Sequence, residues 1–345
     1  MTKRSVRFIL DNIKKAKNIR FMGNYKRLKL YGSLIILLLA AAAAPAQIGW
    51  TAGNRVTTTD LISVYFVNSD HGWIGGDDGY LASTADGGAS WAKQTLKATG
   101  SINDIYFRNE ENGFLLSGDK VFLTNNGGTN WTEVPAVNKN DFRGSEQELY
   151  SIRFSDKKRG WIVGSVSRGD NIVDSLVLRT TDGGSSWQRI RVPTTEELFH
   201  LDFVNEQKGW IVGSKGIILF TEDSGTTWQR QNSNVTNDLF YVDFKGSKVG
   251  WAVGAKGVIL HTDDGGRNWY KTGANVYGTL LRVAFLTEDN GFIVGKGGLI
   301  LRSSDGGRSW IKQDSKTTDA LYGLFVDKKA IWAVGGKGCV LKYEK

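Results

Sequence analysis

A tryptophan recurs along this chain at a nearly constant interval. After Trp91 its equivalents are Trp131, Trp187, Trp228, Trp269 and Trp310, spaced by 40, 56, 41, 41 and 41 residues. Between them the sequence repeats as L-x-x-V-x-F, then G-W-x-V-G, then I-x-x-T-x-D-G-G-x-x-W, clearest in Leu198–Trp228, Leu239–Trp269 and Leu280–Trp310. A period of about 40–50 residues built from short strands predicts propeller blades, units that bury their apolar faces only against their neighbours. Alternation supports strands: in Leu239-Phe240-Tyr241-Val242-Asp243-Phe244, Val242 and Phe244 share a face. Gly pairs punctuate the turns, and residues 50–345 show no helical periodicity. The composition agrees, with 43 Gly and 12 Trp against only 3 Pro.

Counting fixes the number of blades. After Trp310 the chain repeats three strands, Leu321–Val326, Ile331–Gly335 and Gly338–Tyr343, and lacks the last part of the unit. Trp50 stands 41 residues before Trp91, in register with the final Trp of every repeat. The segment Ile48-Gly49-Trp50-Thr51 therefore supplies the missing strand and closes a seven-bladed, all-β propeller of four-stranded blades, leaving no open seam. All twelve Trp then fall in two columns: the repeat end (50, 91, 131, 187, 228, 269, 310) and the G-W position (73, 161, 210, 251, 332), where Phe114 and Phe292 substitute. Both columns read as packing residues.

The turn before each repeat-end Trp is an Asp-box, with Asp86, Asn126, Asp182, Asp223, Asp264 and Asp305 at its head. Asp and Asn bond backbone amides two residues on, and Gly takes positive φ at little cost. Each turn offers one carboxylate, whereas calcium takes six to eight oxygens, so the boxes read as structural. The three His (71, 200, 261) have no metal-site spacing, and the only cysteine, Cys339, reads as a small core residue. Neither metal nor cofactor is expected.

The net charge of +9 is concentrated at one end. Residues 1–46 carry ten Lys and Arg against Asp11 alone, so residues 47–345 are formally neutral and give no nucleic-acid footprint. Residues 1–46 read as a signal peptide or an N-terminal membrane anchor: a basic stretch, the apolar run Leu34–Ala44, and Ala44-Pro45-Ala46 as a cleavage site before Gln47. The propeller, residues 47–345, is then exported, to periplasm or thylakoid lumen, and is membrane-proximal if the leader stays.

The repeat is broken at one blade. Trp131 to Trp161 spans 30 residues, against 23 for Trp187 to Trp210, and the extra seven lie within Val137–Glu148. Trp161 to Trp187 spans 26, against 18 for Trp210 to Trp228, and the extra eight lie within Ser165–Ser175. With strands lettered A to D outward, these are the D-to-A connection into blade 3 and its B-to-C loop. Both emerge on the face opposite the Asp-boxes. They carry Lys139, Asp141, Arg143, Arg168 and Asp170, which become candidate partner-binding residues, because loops on a rigid scaffold commonly bind.

The order of these motifs resembles the photosystem II stability/assembly factor family, Asp-box propellers of the thylakoid lumen and their bacterial relatives. The resemblance spans about residues 48–345 and is carried by stretches such as Lys208-Gly209-Trp210-Ile211-Val212-Gly213 with Thr221-Glu222-Asp223-Ser224-Gly225-Thr226-Thr227-Trp228. It implies a scaffold that holds membrane-protein subunits during complex assembly, a photosystem II precursor if the host is phototrophic. It also implies an arginine patch: the basic position before the box Thr or Ser matches at Arg179 and Arg302, while Ser83, Phe220 and His261 fill that column elsewhere.

The alternative is a glycan-binding or sialidase-like glycoside-hydrolase propeller. A retaining hydrolase needs two carboxyl groups about 5–5.5 Å apart. Asp202 and Asp243 share a register in neighbouring inner strands, with Arg153 in that register one blade earlier. Repeat-equivalent residues are usually structural, so the leading expectation is a non-enzymatic protein-binding scaffold with no catalytic residue. Arg153 is counted among its candidate partner-binding residues.

Overall fold

The computed structural model describes residues 49–142, 144–328 and 330–344, with Lys139 and Asn140 as backbone only. The leader and Arg143 lie outside the described residues. Seven separate antiparallel four-stranded sheets follow in chain order. In blade 1 they are Leu61–Phe66, Gly72–Gly76, Leu81–Thr84 and Ala92–Gln94, strands A to D from the axis outward. The inner strands of blades 2 to 6 are Ile102–Phe107, Glu146–Phe154, Leu198–Phe203, Leu239–Lys245 and Leu280–Phe285. Each inner strand touches the next, and the inner strand of blade 7 (Leu321–Val326) touches that of blade 1, so the ring is closed.

Blade 7 is shared by the two ends of the propeller. Gly49–Ala52 pairs with Cys339–Glu344 in the register Trp50 opposite Tyr343. Arg55 fastens the seam by bonding Asp319 at 2.5 Å and the carbonyl of Lys337 at 2.7 Å.

The blades adhere through one recurring aromatic module. The G-W tryptophan of each blade lies flat on the last Phe of the next inner strand: Trp161 on Phe203 at 3.8 Å, Trp210 on Phe244 at 3.6 Å, Trp251 on Phe285 at 3.5 Å. The box tryptophan of that next blade stands edge-on to the same Phe, as Trp228 does to Phe203 at 5.9 Å. Both geometries suit the ring quadrupole. Phe114 keeps the stacked place in blade 2, on Phe154 at 4.6 Å. Blade 7 carries Val326 where the others have Phe, and there Trp50 packs edge-on against Phe292 at 5.7 Å.

Each Asp-box closes on its own head residue. In blade 4, Asp223 Oδ1 accepts from Thr221 Oγ1 at 2.8 Å and from the Thr227 amide at 2.9 Å, while Oδ2 accepts from Thr227 Oγ1 at 2.7 Å. Asn126 Oδ1 does the same with Thr124 Oγ1 and the Asn130 amide, both at 3.0 Å. Gly225 sits at φ +66°, and a Cβ there would lie 2.2 Å from Nε1 of Trp161 in the preceding blade. The box thus locks its own turn and also fits the neighbouring blade.

The two insertions do not form loops of the expected kind. The second lengthens strands B (Gly160–Arg168) and C (Asn171–Thr180) of blade 3, leaving a two-residue turn at Gly169-Asp170 with Gly169 at φ +56°. The first contributes a 3-10 turn, Lys139–Phe142, and extends strand A back to Glu146, which pairs with Ser167. Added residues beside existing ladder ends continue the ladder, because paired backbone groups beat unpaired ones.

Candidate partner-binding face

The two insertions of blade 3 make one lobe. Phe142, from the 3-10 turn, is buried among Val166 and Leu176 of the lengthened strands. The Arg189 guanidinium lies 4.7 Å over its ring and bonds Asp174 at 2.7 Å. Arg168 reaches back to Ser145 Oγ at 3.4 Å. A buried aromatic and a partly buried ion pair therefore fix a three-stranded extension standing beyond the other blades' B–C turns. Asp141 and Asp170 are exposed on it, and Lys139 begins the 3-10 turn.

The same face holds the mouth of the axial channel. Ile62, Asn103, Tyr150, Phe199, Phe240, Leu281 and Tyr322, each second in the shared inner-strand motif, line a cavity of about 180 Å³ with Arg282 and His200 further along the axis. Tyr277 belongs to this face too, in the D-to-A connection between blades 5 and 6, and is 91% exposed. Its column, eight residues after each box Trp, reads Thr58, Thr99, Thr195, Thr236 and Thr318, and Lys139 within the first insertion. That break in the repeat is legible in the sequence, whereas Phe142 and Arg189 carry no such signal.

Three of the basic candidates are drawn into the blades. Arg153 faces the channel, where it bonds Asp104 at 2.6 Å, His200 Nε2 at 2.9 Å and Tyr241 Oη at 3.2 Å. Burial opposes its charge, but Asp104 and its neighbours hold it protonated. Burial, with Arg153 and Arg282 adding, drives the His200 imidazole well below its usual range, so that ring is neutral. Arg302 bonds Tyr343 Oη at 3.0 Å and lies over the Phe292 ring. Arg179 pairs through its backbone with Trp161 and Gln188, half-buried in mid-blade. Arg179 and Arg302 stand on strands of blades 3 and 6, so no common arginine patch forms from these two.

Asp202 and Asp243, together with Asp104, serve as ties between blades. Among the described residues no sheet runs from one blade into the next; side chains supply links, beside the Leu149 amide that bonds the Gly118 carbonyl at 2.9 Å. Asp104 accepts from the Ile152 amide at 3.0 Å, Asp202 from Phe244 at 2.8 Å, and Asp243 from Phe285 at 2.8 Å. Lys245 bonds the other oxygen of Asp243 at 2.9 Å. Burial and the neighbouring Asp243 push Asp202 up to about 6. Cys339 is a buried thiol. Among the described residues no group of three or more His, Cys, Asp or Glu side chains is placed to hold a metal ion.

Comparison with known proteins agrees with this architecture. The model of the family described as photosynthesis system II assembly factor YCF48 matches residues 42–139, 95–192 and 185–276. The chain is 27% identical over 143 residues to the photosystem II assembly lipoprotein Ycf48 of Synechococcus sp. (strain CC9902), a stretch covering 40% of this chain and 39% of that relative. The structure of YCF48 bound to D1 peptide superposes with a TM-score of 0.70 at 23% identity, over 86% of this chain and 97% of that one. Virginiamycin B lyase from Staphylococcus aureus reaches the same TM-score at 10% identity, over 86% and 99% of the two chains, so the fold alone does not separate enzymes from binders. With the family model matching more than half its length, the chain belongs to the photosynthesis system II assembly factor YCF48 family.

Proposed function

We propose that this protein is exported and acts as a non-enzymatic scaffold that holds segments of membrane-protein subunits on its insertion face during complex assembly. In a phototrophic host the partner is a photosystem II reaction-centre precursor. The observation carrying this reading is the lobe of blade 3, where the only long departures from the repeat are knit into one rigid platform beside an apolar channel mouth. Family membership and a relative that is bound to D1 peptide support it, as does a relative named a lipoprotein for the membrane-proximal location. The use of Asp104, Asp202 and Asp243 as ties between blades supports a non-catalytic role.

Capture from detergent-solubilised host membranes tests the proposal. The bait is the wild-type chain, an Arg168→Ala/Asp170→Ala variant, or a chain whose residues 165–175 are cut to the turn length of blade 4. Loss of the lobe should lower recovery of the bound subunits by about tenfold or more, as removal of a contact centre does. Equal recovery of the same proteins by all three baits would sink the proposal. Glycan turnover lost in Asp202→Asn would replace it with a hydrolase.

A further inference from the structure

The outer edges of the blades are guarded, with one exception. The D strands of blades 1 to 6 are two or three residues long and each carries a charge: Lys93, Glu133, Arg189, Arg230, Lys271 and Lys312. Short length and inserted charge are the usual means of keeping an open strand from pairing with another chain. The extension of blade 3 is longer, and the one charge on its open stretch, Asp174, is already paired with Arg189. Its strand C begins at Asn171, but strand D (Gln188–Arg189) pairs only with Leu178 and Arg179. Beyond the reach of Arg189, which bonds the Ser175 carbonyl and Asp174, Asn171, Ile172 and Asp174 have a ladder partner on strand B and none on the other side among the described residues. The residues along that edge are Ile172 and Val173, 40% and 43% exposed. They are the only consecutive pair among the exposed large hydrophobics of the described residues.

We propose that this edge binds an extended segment of a partner protein as an added β-strand, with β-branched or other apolar side chains of the segment meeting Ile172 and Val173. The inference rests on the scaffold reading above and specifies how its partner is held. An open ladder edge demands main-chain donors and acceptors at strand spacing, which an extended peptide supplies whatever its sequence, while pockets for alternate side chains add selectivity. The platform is preorganised: Phe142 and the Arg189–Asp174 pair fix the hairpin from behind, so little ordering is left for the partner to impose. Asp170, exposed at the turn, favours a Lys or Arg at the end of the segment.

The register also supplies a clean disruption. Between strands B and C, Asp174 faces Val166 and Ile172 faces Ser167, so Val173 is the bulged residue with no partner on strand B. Proline is tolerated at bulges, and there it removes an amide that belongs to no ladder pair of the hairpin.

The test uses the full chain in mild detergent as target for a phage-displayed library of linear dodecapeptides, followed by synthetic copies of those selected. Selected peptides should alternate apolar residues and bind with micromolar affinity. Val173→Pro and Ile172→Asp should each weaken them about tenfold or more, as should N-methylation of alternate peptide amides. Hydrogen exchange of wild-type residues 171–174 should slow when peptide is added, a readout independent of whether a variant folds. Peptides indifferent to both substitutions, with exchange unchanged, would overturn the edge proposal. A concentration-dependent dimer abolished by Val173→Pro, without peptide binding, would also overturn it by assigning the edge to a second copy. Neither result would touch the scaffold proposal, which falls only if membrane capture ignores the lobe.

Discussion

At the scale of the residue, Asp202 shows how position decides the chemistry of a carboxylate. It accepts one amide bond from the next blade but is in no ion pair among the described residues, and burial, with Asp243 beside it, raises it to about 6. The folded state therefore holds this proton more tightly than the unfolded chain, in which the group titrates near 3.8. Stability due to this group falls as pH rises from about 4 through about 6. Asp202→Asn keeps an oxygen for the Phe244 amide and removes the charge. We predict that it stabilises the protein at pH 8 by up to about 2–3 kcal/mol and has little effect at pH 4, by urea unfolding at both pH values. An equal effect at both would show that charging is not what costs stability there. The box carboxylates have the opposite sign. Hydrogen bonds from Ser90 and Thr84 hold Asp86 down to about 2, so its stabilising bonds are present above the ordinary range and lost as pH falls through about 2. Asp223→Asn should be nearly neutral, because Asn126 already performs that role, whereas Asp223→Ala should cost about 1–2 kcal/mol in thermal unfolding.

Among the elements, the boundary between blades is the repeated unit of stability. Trp251 is fully buried, lies 3.5 Å from the Phe285 ring, and donates Nε1 to the Gly306 carbonyl at 2.9 Å. Truncation to Ala should cost about 3–5 kcal/mol, whereas Trp251→Phe should cost far less, since Phe114 and Phe292 hold the same place elsewhere. Denaturant midpoints of the two variants give the comparison. The blade 3 extension follows different rules. It adds Phe142 and Val166 to the core of blade 3 without touching the axial ties, so its removal should lower the unfolding midpoint modestly while abolishing capture.

For the whole molecule, closure of the ring is the decisive event. Trp50 is buried at the seam, edge-on to Phe292 and Tyr343. Because blade 7 is completed by a strand nearly three hundred residues away in sequence, this pairing carries a large loop-closure cost and stabilises only once the ring is otherwise formed. Trp50→Ala should lower stability by about 3–5 kcal/mol and speed unfolding more than it slows refolding, as stopped-flow kinetics would show. Slower refolding with unchanged unfolding would instead place the latch early in folding.

Blade number, strand order, the Asp-boxes and the position of the latch were all determined by the sequence, because each blade is a local unit whose spacing repeats. What a column faces across the blade boundary was not. Arg153 and Arg302 read equally well as surface cations or as packed ones, and tertiary contacts with Asp104 and Tyr343 drew them inward. The insertions were legible as extra length on one face, but their conversion into a paired extension depended on Phe142 and Arg189 finding the lengthened strands. Periodicity records what each repeat does for itself. Contacts between residues outside the period are made only when the ring brings them together.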